Sequence, residues 1–344
     1  ITAVTEDLLL ACEADRVEII VEVLSDVELA AKVALHAFAC GKDYLTMNAE
    51  ADATFGLELR LRAEAAGVIY SVSDGDQPGV EMNLWRYVKN LGMEPLVCGN
   101  IKGLQDCRRN PTTQEGFAKT WNQGVKMVTS FADGTKISFE QACVANATGM
   151  CVAQRGMLGG DFKGHIDELC HSGRYDVDQL RSLGGVVDYV VGAMPAAGVF
   201  VLATHGDAFH RFNLKLYKMG DGPLYGFYAH THLCYFETPL SAARIVLFKD
   251  TVIAPKSHKV DVLTIAKTDL EAGTVLDGIG GYHSYGTCEN APVSISGGFL
   301  PMGLSEGCQL RRDVPCDRAI TYDDVIVPEG RLIDELRNAQ LKRV

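Results

Sequence analysis

The stretch that decides the fold is "VEIIVEVLSDVELAAKVALHAFACGKDYLTMNAEAD", residues 17–52. "VEIIVEVL" (17–24) is a continuous β-branched run, as a strand buried on both faces should be. "DVELAAKVALHAFACG" (26–41) opens on Asp26 as a helix cap and stops at Gly41. "DYLTMN" (43–48) is a second strand, whose tip carries Asn48, Glu50 and Asp52 with no basic residue beside them.

The beat continues outward. "DATFGLELRLRAEAAG" (52–67) reads as a helix capped by Asp52 and closed by Gly67, and "VIYSVSDGD" (68–76) as a third strand. "PGVEMNLWRYVKNLG" (78–92) starts on Pro78 and stops at Gly92, and "EPLVCGNIKG" (94–103) is a fourth strand. Strand and helix in strict alternation predict a parallel sheet with right-handed crossovers. Ligands of such sheets bind at the carboxyl ends of the strands. The tips at Leu24–Ser25, Asn48–Asp52, Asp74–Pro78 and Gly99–Gly103 are therefore the places to look.

Beyond residue 125 the pattern becomes α+β. "VKMVTSFADGTKISFEQACVANATG" (125–149) reads as a hairpin turning at Asp133–Gly134, followed by a helix. "GVVDYVVGAMPAAGVFVLATH" (185–205) predicts two strands around a Pro/Gly turn. "LYGFYAHTHLCYFETPLSAARIVLF" (224–248) runs from an aromatic strand into a helix starting near Thr238–Pro239. "AKTDLEAGTVLD" (266–277) is echoed by "RRDVPCDRAITYDDV" (311–325), which predicts a small β-rich unit. "EGRLIDELRNAQLKRV" (329–344) is a charged helix, read as a solvated or interface helix. The domains expected are 1–103, 104–258, 259–328 and the helix 329–344.

Composition narrows the function. The 344 residues carry a net charge of −12, which argues against a nucleic-acid or anionic-membrane partner. A small-molecule substrate is expected instead. Eleven scattered cysteines without a CxxC pair read as reduced core residues of a cytoplasmic protein. No run of about 20 apolar residues predicts a membrane span.

Taken together, "TMNAEAD", "YSVSDGDQPG", "VCGNIKG", "FADGTKISFEQACVANATG" and "GVVDYVVG" resemble the SAF-domain NAD(P)-dependent oxidoreductases of homoserine-dehydrogenase-like build. Some of these are 1-deoxy-D-xylulose 5-phosphate reductoisomerase-like. The resemblance covers nearly the whole chain, and the 266–277 and 311–325 echo resembles the SAF domain. It implies an α/β fold with a Rossmann-type sheet, an α+β substrate domain with an antiparallel sheet, and a β-rich SAF-like domain. It also implies NADPH or NADH as cofactor, a divalent metal as an option, and a homo-oligomer. The family's GxGxxG turn is absent from this sequence, and the amino-terminal half of the dinucleotide domain is expected upstream of Ile1.

Residue by residue, "LTMNA" aligns with the "TANK" motif of homoserine dehydrogenases. Asn48 then lies near the nicotinamide, and Ala49 stands where their lysine contacts the substrate hydroxyl, which argues against homoserine. Leu24, Met47, Asn48, Glu50, Asp74 and Gly75 are the expected cofactor contacts. Glu50 is open to a ribose, substrate or metal role, with a purely structural role as its rival. Asp74 and Asp76 could hold a hard cation, raise each other's pKa or form a polar turn capping the next helix.

Lys102 is the expected general acid or carbonyl polariser. Lys136 and His232 are expected to hold oxyanions, and Glu140 and Glu237 to orient the lysine or the histidine. Each has a plain structural alternative: a loop lysine, an i,i+4 pair for Lys136 and Glu140, a satisfied histidine. His230 and His232 on one strand face could bind a metal, but a substrate or proton role for His232 is preferred. The rival readings of the chain are homoserine oxidation and a non-catalytic dinucleotide- or sugar-binding module.

Overall fold

A computed structural model describes residues 4–343; residues 1–3 and 344, the ends of the first expected domain and of the terminal helix, lie outside the described residues. The amino-terminal layer runs α1 (Leu8–Glu13), β1 (Ile19–Glu22), α2 (Val27–Ala39), β2 (Asp43–Thr46), α3 (Ala49–Ala65), β3 (Tyr70–Val72) and α4 (Gln77–Asn90). The three strands pair in parallel in the order β1-β2-β3, with Ile19 opposite Asp43 and Tyr44 opposite Tyr70. Asp26 caps α2 by accepting from Leu29 N, and Gly41 follows the helix at φ +68°. The alternating βα reading of this layer is correct.

The fourth strand is not where the alternation places it. β4 (Glu94–Lys102) leaves the parallel sheet and becomes the centre of a second one. The edge of β3 is instead taken by residues 252–253. Val72 N donates to Ile253 O at 2.8 Å, and Ser71 Oγ accepts from Val252 N at 3.0 Å. Nine residues long and buried over most of its length, β4 has two sides to satisfy. It finds them in strands about a hundred residues away, a pairing that local pattern does not encode.

Between the sheets come α5 (Pro111–Trp121), α6 (Val125–Asp133) and α7 (Thr135–Thr148). The hairpin expected to turn at Asp133–Gly134 is thus two helices hinged at Gly134, the second of which contains the helix expected to follow it. The Gly134 φ of +93° is one that "DG" supplies to a helix end as readily as to a β-turn. Then follow β5 (Asp161–His165), α8 (Val177–Leu183), β6 (Val186–Met194), β7 (Val199–Thr204), α9 (Ala208–Leu216), β8 (Tyr225–Ala229) and α10 (Cys234–Phe248). The second sheet has the order β5-β6-β4-β7-β8. β4 is parallel to β6 and antiparallel to β7. α10 starts four residues before Thr238, because Phe236 N and Glu237 N both already donate to Leu233 O.

The carboxyl-terminal part holds β9 (Val260–Ala266), β10 (Ser284–Asn290), α11 (Ala291–Ser296), β11 (Gln309–Leu310), β12 (Val325–Ile326) and α12 (Leu332–Leu341). The two echoing segments pair with each other: Leu270 and Val314 exchange both backbone hydrogen bonds, at 2.9 and 2.8 Å. α12 is not a solvated helix. Ile333, Leu336, Arg337 and Gln340 are buried, and the helix packs on α3 and α2.

Two cores result. One gathers Met82, Phe139, Val144, Val201, Val262 and Cys288 around α7. The other gathers Phe38, Tyr44, Phe55, Leu300, Leu310 and Leu336 around α3. α3 and α7 therefore lie side by side at the middle of the molecule, and the amino end of each carries polar residues.

Candidate active site

The tips of β2 and β3 lie side by side, with Ser73 N donating to Thr46 O at 2.8 Å. Each delivers a carboxylate to the same ammonium. Lys136 Nζ is 3.7 Å from Glu50 Oε1 and 3.5 Å from Asp76 Oδ2, and the three side chains are between 11% and 17% exposed. Asp76 also caps α4, its Oδ1 accepting from Gln77 N at 3.1 Å, so its second oxygen is left for the lysine. Lys136 sits on the first turn of α7, and one turn later the same face carries Glu140.

Glu140 is buried beneath the lysine. Asn100, from the middle of β4, donates to its Oε2 at 3.1 Å, and Gln77 Nε2 donates to Asn100 Oδ1 at 2.7 Å. Burial, reinforced by Asp76 and opposed by Lys102 and Lys136, pushes the Glu140 pKa up to about 7. For Lys136, burial disfavours the charge, but Asp76, Glu50 and Glu140 outweigh it and hold its pKa well above the usual lysine range. Lys136 is thus a fixed cation, and Glu140 is poised to change charge. Behind them Glu81 is fully buried. Gln141 Nε2 donates to its Oε2 at 2.9 Å, and burial pushes its pKa well up.

The amino end of α10 closes one side. Cys234 Sγ donates to Gly75 O at 3.0 Å, Ser73 Oγ meets Thr238 Oγ1 at 3.1 Å, and Ser241 Oγ accepts from Asp74 N at 2.8 Å. Gly75 has φ +81°, and a Cβ there would lie 2.8 Å from the Cys234 Cα. Only glycine permits that approach.

The sequence-predicted residues divide. Lys136, Glu140 and Glu50 converge, and Lys102, at the end of β4, adds its charge to the field at Glu140. His232 lies outside the cluster, Glu237 sits on its α10 side against Gly75, and both tie neighbouring loops. His232 Nδ1 pairs with Ala197 O at 2.8 Å, and Glu237 accepts from Leu233 N at 3.2 Å. The turn that His232 holds also meets β4, since Ile101 N donates to Gly198 O at 2.8 Å.

Several expected cofactor contacts are engaged in the fold. Asn48, not Asp52, caps α3: its Oδ1 accepts from Ala51 N at 2.9 Å and its Nδ2 donates to Leu24 O at 3.1 Å. Leu24 N donates to Glu22 Oε1. Asp74 accepts from Gly75 N at 2.9 Å and from Asn83 Nδ2. Met47 Sδ is 3.8 Å from Thr238 Oγ1. Asp52 lies inside the first turn of α3, where Tyr70 Oη donates to it at 2.9 Å and burial pushes its pKa up to about 6. It is too deep to cap, since one residue after another had to cross from strand to helix and Asn48 does so first.

Two members of the site went unassigned in the sequence, Gln77 and Asn100. Asp76 was read, among its alternatives, as a turn acid capping the next helix, and it does cap α4. Asn100 was signalled by an amide inside an apolar strand. Gln77 carried no signal. A metal does not fit: among the described residues no group of three or more His, Cys, Asp or Glu side chains is arranged to hold one. Glu50, Asp76 and Glu140 surround an ammonium instead.

Comparison with known proteins gives one family match and a set of distant structural likenesses. The family described as "Oxidoreductase DRL, catalytic domain" matches residues 75–238, which include Asp76, Gln77, Asn100, Lys102, Lys136 and Glu140. No curated protein matches the chain in sequence. Among solved structures, the biliverdin reductase of Synechocystis sp. PCC 6803, in complex with biliverdin and NADP+, overlaps 30% of this chain at 15% identity with a TM-score of 0.22. The chain spans 32% of that structure's length. The homoserine dehydrogenase of S. aureus overlaps 87% of this chain and 79% of its own, at 13% identity and a TM-score of 0.36. Among the described residues no helix is long and apolar enough to cross a membrane. Residues 75–238 are thus similar to an oxidoreductase catalytic domain, and this segment holds most of the cluster described above.

Proposed function

We propose that the Lys136 cluster is the reaction site of an NAD(P)-dependent oxidoreductase acting on a small polyhydroxylated, phosphorylated carbonyl or alcohol. The observation that carries this reading is the convergence of Glu50 and Asp76, from two neighbouring strand tips, on Lys136. The carboxyl ends of a parallel sheet and the oxidoreductase segment thereby share one place. The nicotinamide, when bound, supplies or takes the hydride. Leu24, Met47, Asn48, Glu50, Asp74 and Gly75 remain its proposed neighbours, the backbone and Glu50 more than the Asn48 and Asp74 side chains, which already have partners.

The chain's own residues then do the positioning. Lys136, a fixed cation, stabilises the oxygen that becomes negative as hydride arrives. Lys102 polarises the carbonyl or meets the phosphate from the β4 tip. Glu50 and Asp76 hold the lysine and accept substrate hydroxyls. His232 and Glu237 are retained as residues that fix the loop beside β4 and the start of α10. Reductoisomerisation of a ketose phosphate is one form of this chemistry.

Homoserine oxidation is disfavoured because Ala49, buried at the start of α3, stands in place of the motif lysine, and the ammonium at this tip comes instead from Lys136 on α7, already paired with Glu50 and Asp76. The SAF-like assignment of residues 259–328 is supported by the pairing of the two echoing segments. Self-association is supported by the exposed Phe209, Phe212, Tyr235, Phe236 and Phe248 on α9 and α10. The test is purified full-length protein with NADPH or NADH and a panel of sugar phosphates and homoserine. Turnover of a sugar phosphate supports the reading; turnover of homoserine alone refutes it.

A further inference from the structure

Gln77, Asn100 and Glu140 form a closed polar ring beneath Lys136, and all three are at most 5% exposed. Two sides of the ring are ordinary hydrogen bonds, Gln77 Nε2 to Asn100 Oδ1 at 2.7 Å and Asn100 Nδ2 to Glu140 Oε2 at 3.1 Å. On the third side the Gln77 carbonyl oxygen faces the Glu140 carboxyl, in a position 2.9 Å from Oε2 and 3.3 Å from Oε1, with Asn100 Nδ2 3.0 Å away at its flank. If Glu140 is ionised, that side sets acceptor against acceptor.

Rotating amides does not remove the conflict. Turning Gln77 over brings its nitrogen to Glu140 but leaves its oxygen 2.7 Å from Asn100 Oδ1. Turning Asn100 as well withdraws the Asn100 donor from Glu140 and puts an oxygen in its place. A single proton on Glu140 closes the ring with neither amide turned, each residue donating once and accepting once.

We propose that Glu140 is the resident proton donor of the site, and that Gln77 and Asn100 are positioning residues that hold its acid form in a closed hydrogen-bond ring. Charged and titratable groups face it from every element around it. These are Asp76 beside α4 and Glu81 on α4, Glu50 on α3, Lys102 on β4, Lys136 on α7 and Cys234 on α10. The upward displacement of its pKa, caused first by burial, agrees with the geometry.

The step rests on the function proposed above. The nicotinamide, when bound, would supply the hydride to the carbonyl carbon, and the C=O π pair would become the bond to hydrogen on oxygen. The Glu140 O–H bond breaks to supply that proton. Carboxylate and oxidised nicotinamide remain, and solvent reprotonates Glu140 after product leaves. Oxidation of an alcohol runs the same steps backward. Gln77 and Asn100 touch no reactant; they decide when Glu140 holds its proton.

The experiment is an infrared titration of the full-length protein, wild type beside Glu140→Gln and Gln77→Leu. Wild type should show a protonated-carboxyl band that disappears with a midpoint near pH 7, apart from the Asp52 band, which disappears near pH 6 and is assigned by its loss in Asp52→Asn, and the Glu81 band, which persists to higher pH. Glu140→Gln keeps the ring, its amide standing for the acid, and should lack the titrating band. Gln77→Leu removes the acceptor of the acid proton and should lower the midpoint by about one pH unit; because it retains Glu140, it decides the matter even if Glu140→Gln fails to fold. A midpoint below pH 5, a band unaffected by Glu140→Gln, or a midpoint unmoved in Gln77→Leu overturns the proposal. Hydride transfer in Glu140→Gln should fall by about a hundredfold, with loss of the limb near pH 7. If wild type shows the titrating band but turns over no carbonyl compound, the functional reading fails and the ring stands.

Discussion

Two buried ion networks touch α3, one through the Thr54 carbonyl and one through Glu50, and they treat their carboxylates in opposite ways. In the first, Asp261 on β9 receives a two-pronged pair from Arg337 on α12, at 2.8 and 2.7 Å, and a third contact from His258 Nε2 at 2.7 Å. Burial alone would raise Asp261, yet Arg337 and His258 hold its carboxyl far below the ordinary range. At the other network one ammonium serves Glu50 and Asp76 at 3.5–3.7 Å, and Glu140 keeps a raised pKa. Short, planar, saturated pairing fixes a charge. Long, shared pairing leaves one free to change. The first network locks the terminal helix onto the body; the second has the looseness that proton chemistry requires.

Breaking the lock should have the largest effect on stability. Arg337→Met leaves Asp261 buried beside His258 alone and should cost about 3–5 kcal/mol in chemical denaturation. Lys136→Met should cost hydride transfer about a hundredfold or more, the loss of one oxyanion-stabilising charge, measured as kcat/KM. Lys102→Met should reduce turnover by about a hundredfold if it acts on the reacting carbonyl; an unchanged rate would remove it from the site. Gly75→Ala should lower turnover more modestly, about tenfold, by pushing α10 off the β3–α4 turn, and should lower the melting temperature by a few degrees.

The smallest effect sharpens the contrast through pH. Asp52 and Glu140 have raised folded-state pKa values, so the folded protein binds more protons than the unfolded chain between the ordinary carboxylate range and pH 6–7. Their contribution to stability is fully present at low pH and is lost as pH rises through about 6 and 7. Asp261 has the opposite sign: its contribution is present above the unfolded carboxylate pKa and is lost as pH falls. Asp52→Asn should therefore gain on wild type as pH rises from 5 to 8, by about 1–3 kcal/mol, in denaturation curves taken at both pH values.

The comparison also separates what the sequence carried from what it did not. The βα layer was legible because Asp26, Gly41, Gly67 and Gly92 punctuate continuous apolar strands. Lys136, Glu140 and Glu50 were legible as residue types at a strand tip and a helix start. The partner of β4 was not, because residues 252–253 compete for the β3 edge from far along the chain. The "DG" at 133–134 served a helix hinge, since a left-handed glycine suits both ends of that choice. Asp52 yielded its capping role to Asn48, four residues earlier, because strand β2 ends sooner than its apolar run suggests. The Arg337–Asp261 lock joins residues 76 apart and had no local signature.

The central claim is that Lys136 sits at the reacting carbon's oxygen. It is tested by comparing full-length wild type and Lys136→Met for oxidation of NADPH by a ketose phosphate, with cofactor affinity followed by calorimetry. The account predicts that NADPH binding is retained within a few fold while hydride transfer falls by about a hundredfold or more. Equal rates in the two proteins would contradict it.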